Sequence, residues 1–286
     1  AINNTTSAIT STITVTPTLN DCVGPSSTYT ITINPQPEVT VPANFTVCAG
    51  SSVSGSNFSS VPAGATYTWT NSNTTIGLPG SGSGNVPAFT AINTSASVAT
   101  ATITVTPFLN GCNGPSISYV ITVNPLPRVD ALTNLTVCSG ATITASAFSS
   151  TPGGATYTWT NSNTGIGLAG SGSGNIASFT AINSSTYVVT ATITVTPTLN
   201  GCTGPSSSYT ITVNPLPRVN ALANVTVCSG ATITATNFSS QPAGASYSWT
   251  NSNTSIGLAA SGTGNVPSFT ASNTGGSPVT ATITVT

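Results

Sequence analysis

The chain has 286 residues with two Lys or Arg, three Asp or Glu and no His, a formal net charge of −1. Soluble proteins carry charge on about a quarter of their residues, so this composition excludes the basic footprint of a nucleic-acid binder and a catalytic apparatus built on His or Lys. The hydrophobic share of 38% alternates with Thr and Ser, which excludes a disordered chain.

Residues 1–22, 91–112 and 181–202 read AINNTTSAITSTITVTPTLNDC, AINTSASVATATITVTPFLNGC and AINSSTYVVTATITVTPTLNGC. The period of 90 also holds for Trp69, Trp159 and Trp249, for Cys48, Cys138 and Cys228, and for Cys22, Cys112 and Cys202. A solenoid rung spans roughly 20 to 50 residues, so this period matches a small domain with its own core. The expected division is a partial module at 1–35 holding last strands only, complete modules at 36–125 and 126–215, and a partial module at 216–286 lacking its last strand. The ends read as a window on a longer array, the alternative being a subunit completed by its neighbours. No long apolar run is present, so this segment is not expected to span a membrane. Six cysteines without zinc-site spacing point to disulfides outside the cell, with no metal and no cofactor.

Within 36–125, Pro35, Pro37 and Pro42 bracket an extended linker. Glu38 occupies one position of it, matched by Arg128 and Arg218, and the three are expected to be solvated linker charges rather than junction or ligand contacts. Phe45 and Val47 predict a strand ending at Cys48, Ala49-Gly50 a turn, and Val53 the next strand, for which residues 141–145 give the clearer pattern. Residues 62–64 turn into a strand over 65–70 that places Tyr67 and Trp69 on one face, as Tyr157 and Trp159, and Tyr247 and Trp249, do in the other copies. These six aromatics are expected in the core rather than as sugar-stacking platforms. A loop over 71–84 is expected to hold a brief edge strand at Ile76 and Leu78, and SGSGN at 81–85 and 171–175 a flexible surface turn. Strands follow at 89–92 and at 101–106, the latter with Ala101, Ile103 and Val105 inward and Thr102, Thr104 and Thr106 outward. A loop over 107–115 carries Cys112, and Tyr119, Ile121 and Val123 form the last strand. No window shows helical periodicity.

About seven short strands with a Trp on the third predict an all-β fold of tandem immunoglobulin-like β-sandwich modules of about 90 residues, arranged head to tail. In such a sandwich Cys48 and Cys112 lie at opposite ends, about one strand length apart, whereas disulfide Cα atoms lie about 5 to 6 Å apart. One pairing is therefore between modules, Cys48 with Cys202, with Cys138 seeking a partner beyond Thr286 and Cys22 and Cys112 partners before Ala1. Pairing within modules, Cys48 with Cys112 and Cys138 with Cys202, and free thiols, remain the alternatives; Cys228 completes the candidates.

No two carboxylates recur together, and the abundant hydroxyls lack a base to activate them, so no catalytic residue and no metal ligand is assigned. Outward Thr rows are the default of an exposed strand rather than an ice-binding face, and the triplets at Asn44, Asn134 and Asn224 are expected by chance.

The series TVCSG, YTWTNSN, IGL, SGxGN, FTAxN, TATITVTP, NGC and YxITVNP recurs in order. It resembles the PKD-like repeats of very large surface proteins of the Bacteroidota, similar to adhesins exported by type IX secretion, including those used in gliding. The resemblance implies a non-catalytic stalk or filament segment of an extracellular cell-surface adhesin. The alternative is a fibre subunit that polymerises by β-strand complementation, with a carbohydrate- or ice-binding module below it. The expected partners are neighbouring modules of the same chain, other copies in a fibre, and surface glycans or substrata.

Overall fold

The computed structural model describes residues 1–286, and its helical elements are three single-turn 3₁₀ helices. In chain order the first fourteen strands are β1 Ile9–Val15, β2 Thr18–Leu19, β3 Cys22–Val23, β4 Ser27–Ile33, β5 Glu38–Thr40, β6 Phe45–Cys48 and β7 Ser52–Val53. They continue with β8 Ser59–Val61, β9 Thr66–Asn71, β10 Ser81–Ser83, β11 Phe89–Thr90, β12 Ala99–Leu109, β13 Cys112–Asn113 and β14 Ile117–Asn124. The chain is all-β, built from tandem immunoglobulin-like units of about 90 residues.

By its contacts the chain divides into two compact units. The first comprises Ala1–Asp130, Ser149–Tyr157 and Thr196–Ser206; the second comprises Ala131–Phe148, Thr158–Val195 and Ser207–Thr286.

In the first unit the main sheet runs β10-β9-β12-β14-β6, with β13 folding back on β12. Its long antiparallel pair aligns Ala101 with Ile121 and Ile103 with Tyr119, while Val105 faces Trp69 across the β12/β9 pair. The strand β6 joins in parallel, Val47 opposite Val123. Because successive strand side chains point to opposite faces, Ala101, Ile103 and Val105 are buried on one face while Thr102, Thr104 and Thr106 lie on the other. The short pairs β5/β8 and β7/β11 cover the inner face, bringing Val39 and Val53 onto Trp69, Ile103 and Tyr119. Burying this apolar surface is the main driving force, at roughly 25 cal/mol per Å².

The second unit reuses the pattern. Leu135–Cys138 runs parallel to Ser207–Asn214, with Val137 opposite Val213, and Val189–Val195 pairs antiparallel to it, with Ile193 opposite Tyr209. Around Trp249, Ser248–Asn251 lies between Ser261–Thr263 and Ile283–Val285.

Three expectations are corrected. Ile76 and Leu78 do not form an edge strand: Thr74–Ile76 is a 3₁₀ turn, with Gly77 at φ 94° closing it. The Asn73 side chain accepts from the Thr75 backbone N–H, and such local bonds compete with extended structure. Both apolar residues are nonetheless fully buried. The SGSGN segment is not a flexible turn, since Ser81–Ser83 pairs along β9 and Gly82 lies on the Trp69 indole. A Cβ built there would stand 2.3 Å from Trp69 Cζ2, so only glycine permits the approach. Finally, Glu38, Arg128 and Arg218 are not on a linker; each is the exposed first residue of a short strand, opposite Val61, Thr151 and Gln241 respectively.

Candidate functional site

The feature with chemistry of its own is a cross-link. Cys48 and Cys202 form a disulfide with their Cα atoms 5.6 Å apart and a sequence separation of 154. Both belong to the first unit, to which the hairpin around Cys202 contributes as part of Thr196–Ser206. Of the pairings open to the sequence, this is the one between consecutive repeats, and Cys48 is therefore not paired with Cys112, nor Cys138 with Cys202.

Each loop is shaped by its own residues. Cys48 ends β6, and the turn after it is pinned on both sides: Ala49 N–H donates to Asn124 O at 2.9 Å and Gly50 N–H to Ala91 O at 2.7 Å. Gly50 sits at φ 82°, where a side chain is strained. Cys202 lies on a two-residue hairpin, opposite Leu199, whose central residues Asn200 and Gly201 have φ 49° and 77°. Positive φ at both positions is the type I′ turn that Asn-Gly favours. The segment around Cys112, expected to be a loop over 107–115, is the same hairpin, with Asn110 and Gly111 at φ 47° and 83°. The Asn-Gly pair itself was the signal that would have identified it.

The hairpin is seated by a close backbone approach. A Cβ on Gly204 would fall 1.7 Å from Pro127 O, and the equivalent Gly114 stands in the same relation to Pro37 O. Gly204 N–H donates to Pro197 O at 2.9 Å, closing the base of the turn. Cys202 is 1% exposed and Cys48 is half-buried, so the cross-link is covered on its Cys202 side.

The other candidate residues are dispersed. Trp69, Trp159 and Trp249 are buried in successive repeats, and Tyr67, Tyr157 and Tyr247 are partly buried beside them. The indole Nε1 atoms of all three Trp lack a hydrogen-bond partner. Tyr119, on β14, donates its hydroxyl to Ser56 Oγ at 3.0 Å. Burial pushes the Tyr119 phenol above its ordinary pKa, opposed in part by that bond. Asn44, immediately before β6, extends the parallel pairing, its Oδ1 accepting from Val120 N–H at 2.7 Å, and Asn134 does the same for Thr210 N–H at 2.8 Å.

On the outer face the hydroxyls pair across strands, Thr104 with Ser118 at 2.9 Å and Thr106 with Ser116 at 2.7 Å. They repeat as Thr194 with Ser208 and Thr196 with Ser206. Cross-strand pairs of this kind stabilise a sheet by about 0.2–1 kcal/mol each. No group of three or more His, Cys, Asp or Glu side chains comes together, and no helix is long and apolar enough to cross a membrane.

The family model described as a PKD-like domain matches residues 45–127 and 135–217. No curated protein sequence matches the chain. Among solved structures it is similar to protocadherin gamma B7 extracellular cadherin domains 1–4, at 10% identity over 97% of this chain and 82% of that one, with a TM-score of 0.41. It is also similar to human CDH23 EC21–23, at 14% identity over 84% of this chain and 91% of that one, with a TM-score of 0.39. A third is DIP-gamma IG1+IG2, at 14% identity over 63% of this chain and 98% of that one, with a TM-score of 0.33.

Proposed function

Since the chain belongs to the PKD-like domain family, we propose that it is a non-catalytic stalk segment of an extracellular cell-surface adhesin, whose tandem modules carry tension along the chain. The module edges of this reading fall at 36–125 and 126–215, flanked by partial modules at 1–35 and 216–286. The observation that carries it is the Cys48–Cys202 bond, which ties one repeat to the next across 154 residues and limits how far that span extends when pulled. A disulfide also suits an oxidising compartment. The near-absence of charge suits a passive element, because little on its surface titrates or is screened by salt. The repeat motifs further support a giant Bacteroidota surface protein exported by the type IX route, with gliding adhesins among its kind, and surface glycans or substrata as what such a protein engages.

Single-molecule extension tests the stalk. At about 3.4 Å per residue, the bond withholds roughly 500 Å of contour from a span of 154 residues. Pulling under oxidising conditions is expected to release that much less length than pulling after reduction. Equal lengths in the two conditions would remove the mechanical role.

A further inference from the structure

The repeats around Tyr119 and Tyr209 differ at the hydroxyl of that buried tyrosine. Tyr119 donates to Ser56 Oγ at 3.0 Å, and the Phe45 ring stacks on it with centroids 6.4 Å apart and planes 25° from parallel. In the next repeat the equivalent residues are Tyr209, Ser146 and Leu135. Leu135 has no ring to press on the phenol. The Tyr209 hydroxyl is buried and faces Ser146 without reaching hydrogen-bond geometry, so it has no partner. A buried polar group left in this state costs stability, and a ligand that meets it recovers that cost.

Tyr209 lines a cavity of about 210 Å³ between the edge strand Leu135–Cys138 and the short pair Thr142–Ile143 and Phe179–Thr180. Leu135, Ile143 and Phe179 give it apolar walls, with Ser146 beside the tyrosine. Asn134 and Thr144 are exposed at its rim. The Asn134 Oδ1 is held by Thr210 N–H at 2.8 Å, which leaves its Nδ2 as a donor.

We propose that this cavity binds one uncharged hexopyranose unit of a glycan, with a sugar hydroxyl supplying the hydrogen bond that Tyr209 lacks. The inference deepens the glycan-engaging part of the proposed function and rests on that part. A pyranose ring has C–H faces suited to apolar walls and a hydroxyl edge suited to Tyr209, Ser146, Thr144 and Asn134, the combination of apolar lining and few placed polar groups that holds small ligands. A cavity of roughly 150 Å³ accommodates a six-membered carbon ring, so the size fits a single sugar unit. No charged side chain lines the cavity, and an ionised ligand would lose its hydration there without a counter-charge. The larger cavity of about 550 Å³ beside Phe45 lacks the unpaired group, because Tyr119 is outside its lining and already bonded to Ser56.

The test titrates the nitrogen-15-labelled 286-residue chain with methyl glycosides of glucose, galactose, mannose and N-acetylglucosamine, and with glucuronate, and follows the backbone amides by NMR. Saturable shifts confined to residues 133–146, 179 and 209–211 are expected for at least one neutral sugar, with a Kd on the order of 1 mM for a ligand of about a dozen non-hydrogen atoms. Tyr209→Phe keeps the ring and is expected to weaken binding by about fivefold or more. Leu135→Phe, which gives this repeat the residue found at position 45, is expected to abolish it, whereas Tyr119→Phe should leave it unchanged. The inference is overturned by the absence of saturable shifts from every neutral sugar, by binding of glucuronate as tight as that of the neutral sugars, or by unaltered affinity in Tyr209→Phe. Extension across Cys48–Cys202 reads the mechanical role and is untouched by these outcomes, so the two fail separately.

Discussion

Cys48 and Cys202 meet with Cα atoms 5.6 Å apart because the hairpin of one repeat packs within the contact unit that holds the β6 turn of the repeat before it. Breaking this bond releases the largest constraint on the unfolded chain. Closing a loop of 154 residues is worth up to roughly 5 kcal/mol in chain entropy. Cys202→Ser is expected to lower the urea midpoint of the spanned repeats accordingly, and the reduced wild-type chain should unfold with the variant. A variant as stable as the oxidised wild type would show that the bond contributes nothing to stability.

Gly204 and Gly114 separate the seat of the hairpin from the bond. Their added Cβ atoms meet carbonyl oxygens of Pro127 and Pro37 at 1.7 Å, and backbone cannot swing aside as a side chain can. Each Gly→Ala change is expected to destabilise by about 1–3 kcal/mol through overpacking. Only Gly204→Ala should also raise the fraction of unpaired Cys48, read by thiol alkylation. The same alkylation pattern for both variants would detach the bond from the seating of its hairpin.

Asn71 organises the turn that buries Ile76 and Leu78. Its Nδ2 donates to Leu78 O at 2.9 Å and Pro79 O at 3.2 Å, and its Oδ1 accepts from Asn73 N–H at 3.0 Å. Asn71→Ala leaves buried carbonyls without a donor, and a loss of about 2–3 kcal/mol is expected. Hydrogen exchange should accelerate over residues 72–80 first. Thr75→Ala, at an exposed position of the same turn, should change stability by no more than about 0.5 kcal/mol.

Stability should be nearly independent of pH across the neutral range and fall only in alkali. The chain has no His. Burial raises the phenol pKa of both Tyr119 and Tyr209, so the folded state holds these protons more tightly than the unfolded chain does. That contribution is complete below the ordinary tyrosine value of about 10 and is lost as pH rises through the higher folded values. Melting temperature against pH is the measurement, and replacing both residues by Phe should flatten the alkaline limb. A midpoint that moves between pH 6 and 8 would contradict this account.

The strands were readable where burial repeats every second residue. Ala101, Ile103 and Val105 alternate with three threonines, and that pattern fixes both the strand and its inward face without knowledge of any partner. The turn at Thr74–Ile76 was misread because two apolar residues flanking a glycine look alike in a strand and in a capped 3₁₀ turn. The Asn73 side chain decided between them through a bond to the backbone. Gly82 looked like a flexible residue because its neighbour, the Trp69 ring, lies 13 positions earlier.

By itself the sequence determined a repeating all-β chain, since a fixed period and period-two burial are local properties of the residues. Tertiary structure alone decided which cysteine meets which: six thiols at regular spacing admit several pairings, and the choice depends on the hairpin reaching the β6 turn 154 residues away. Local propensity shapes each loop, but only packing brings two loops within bonding distance.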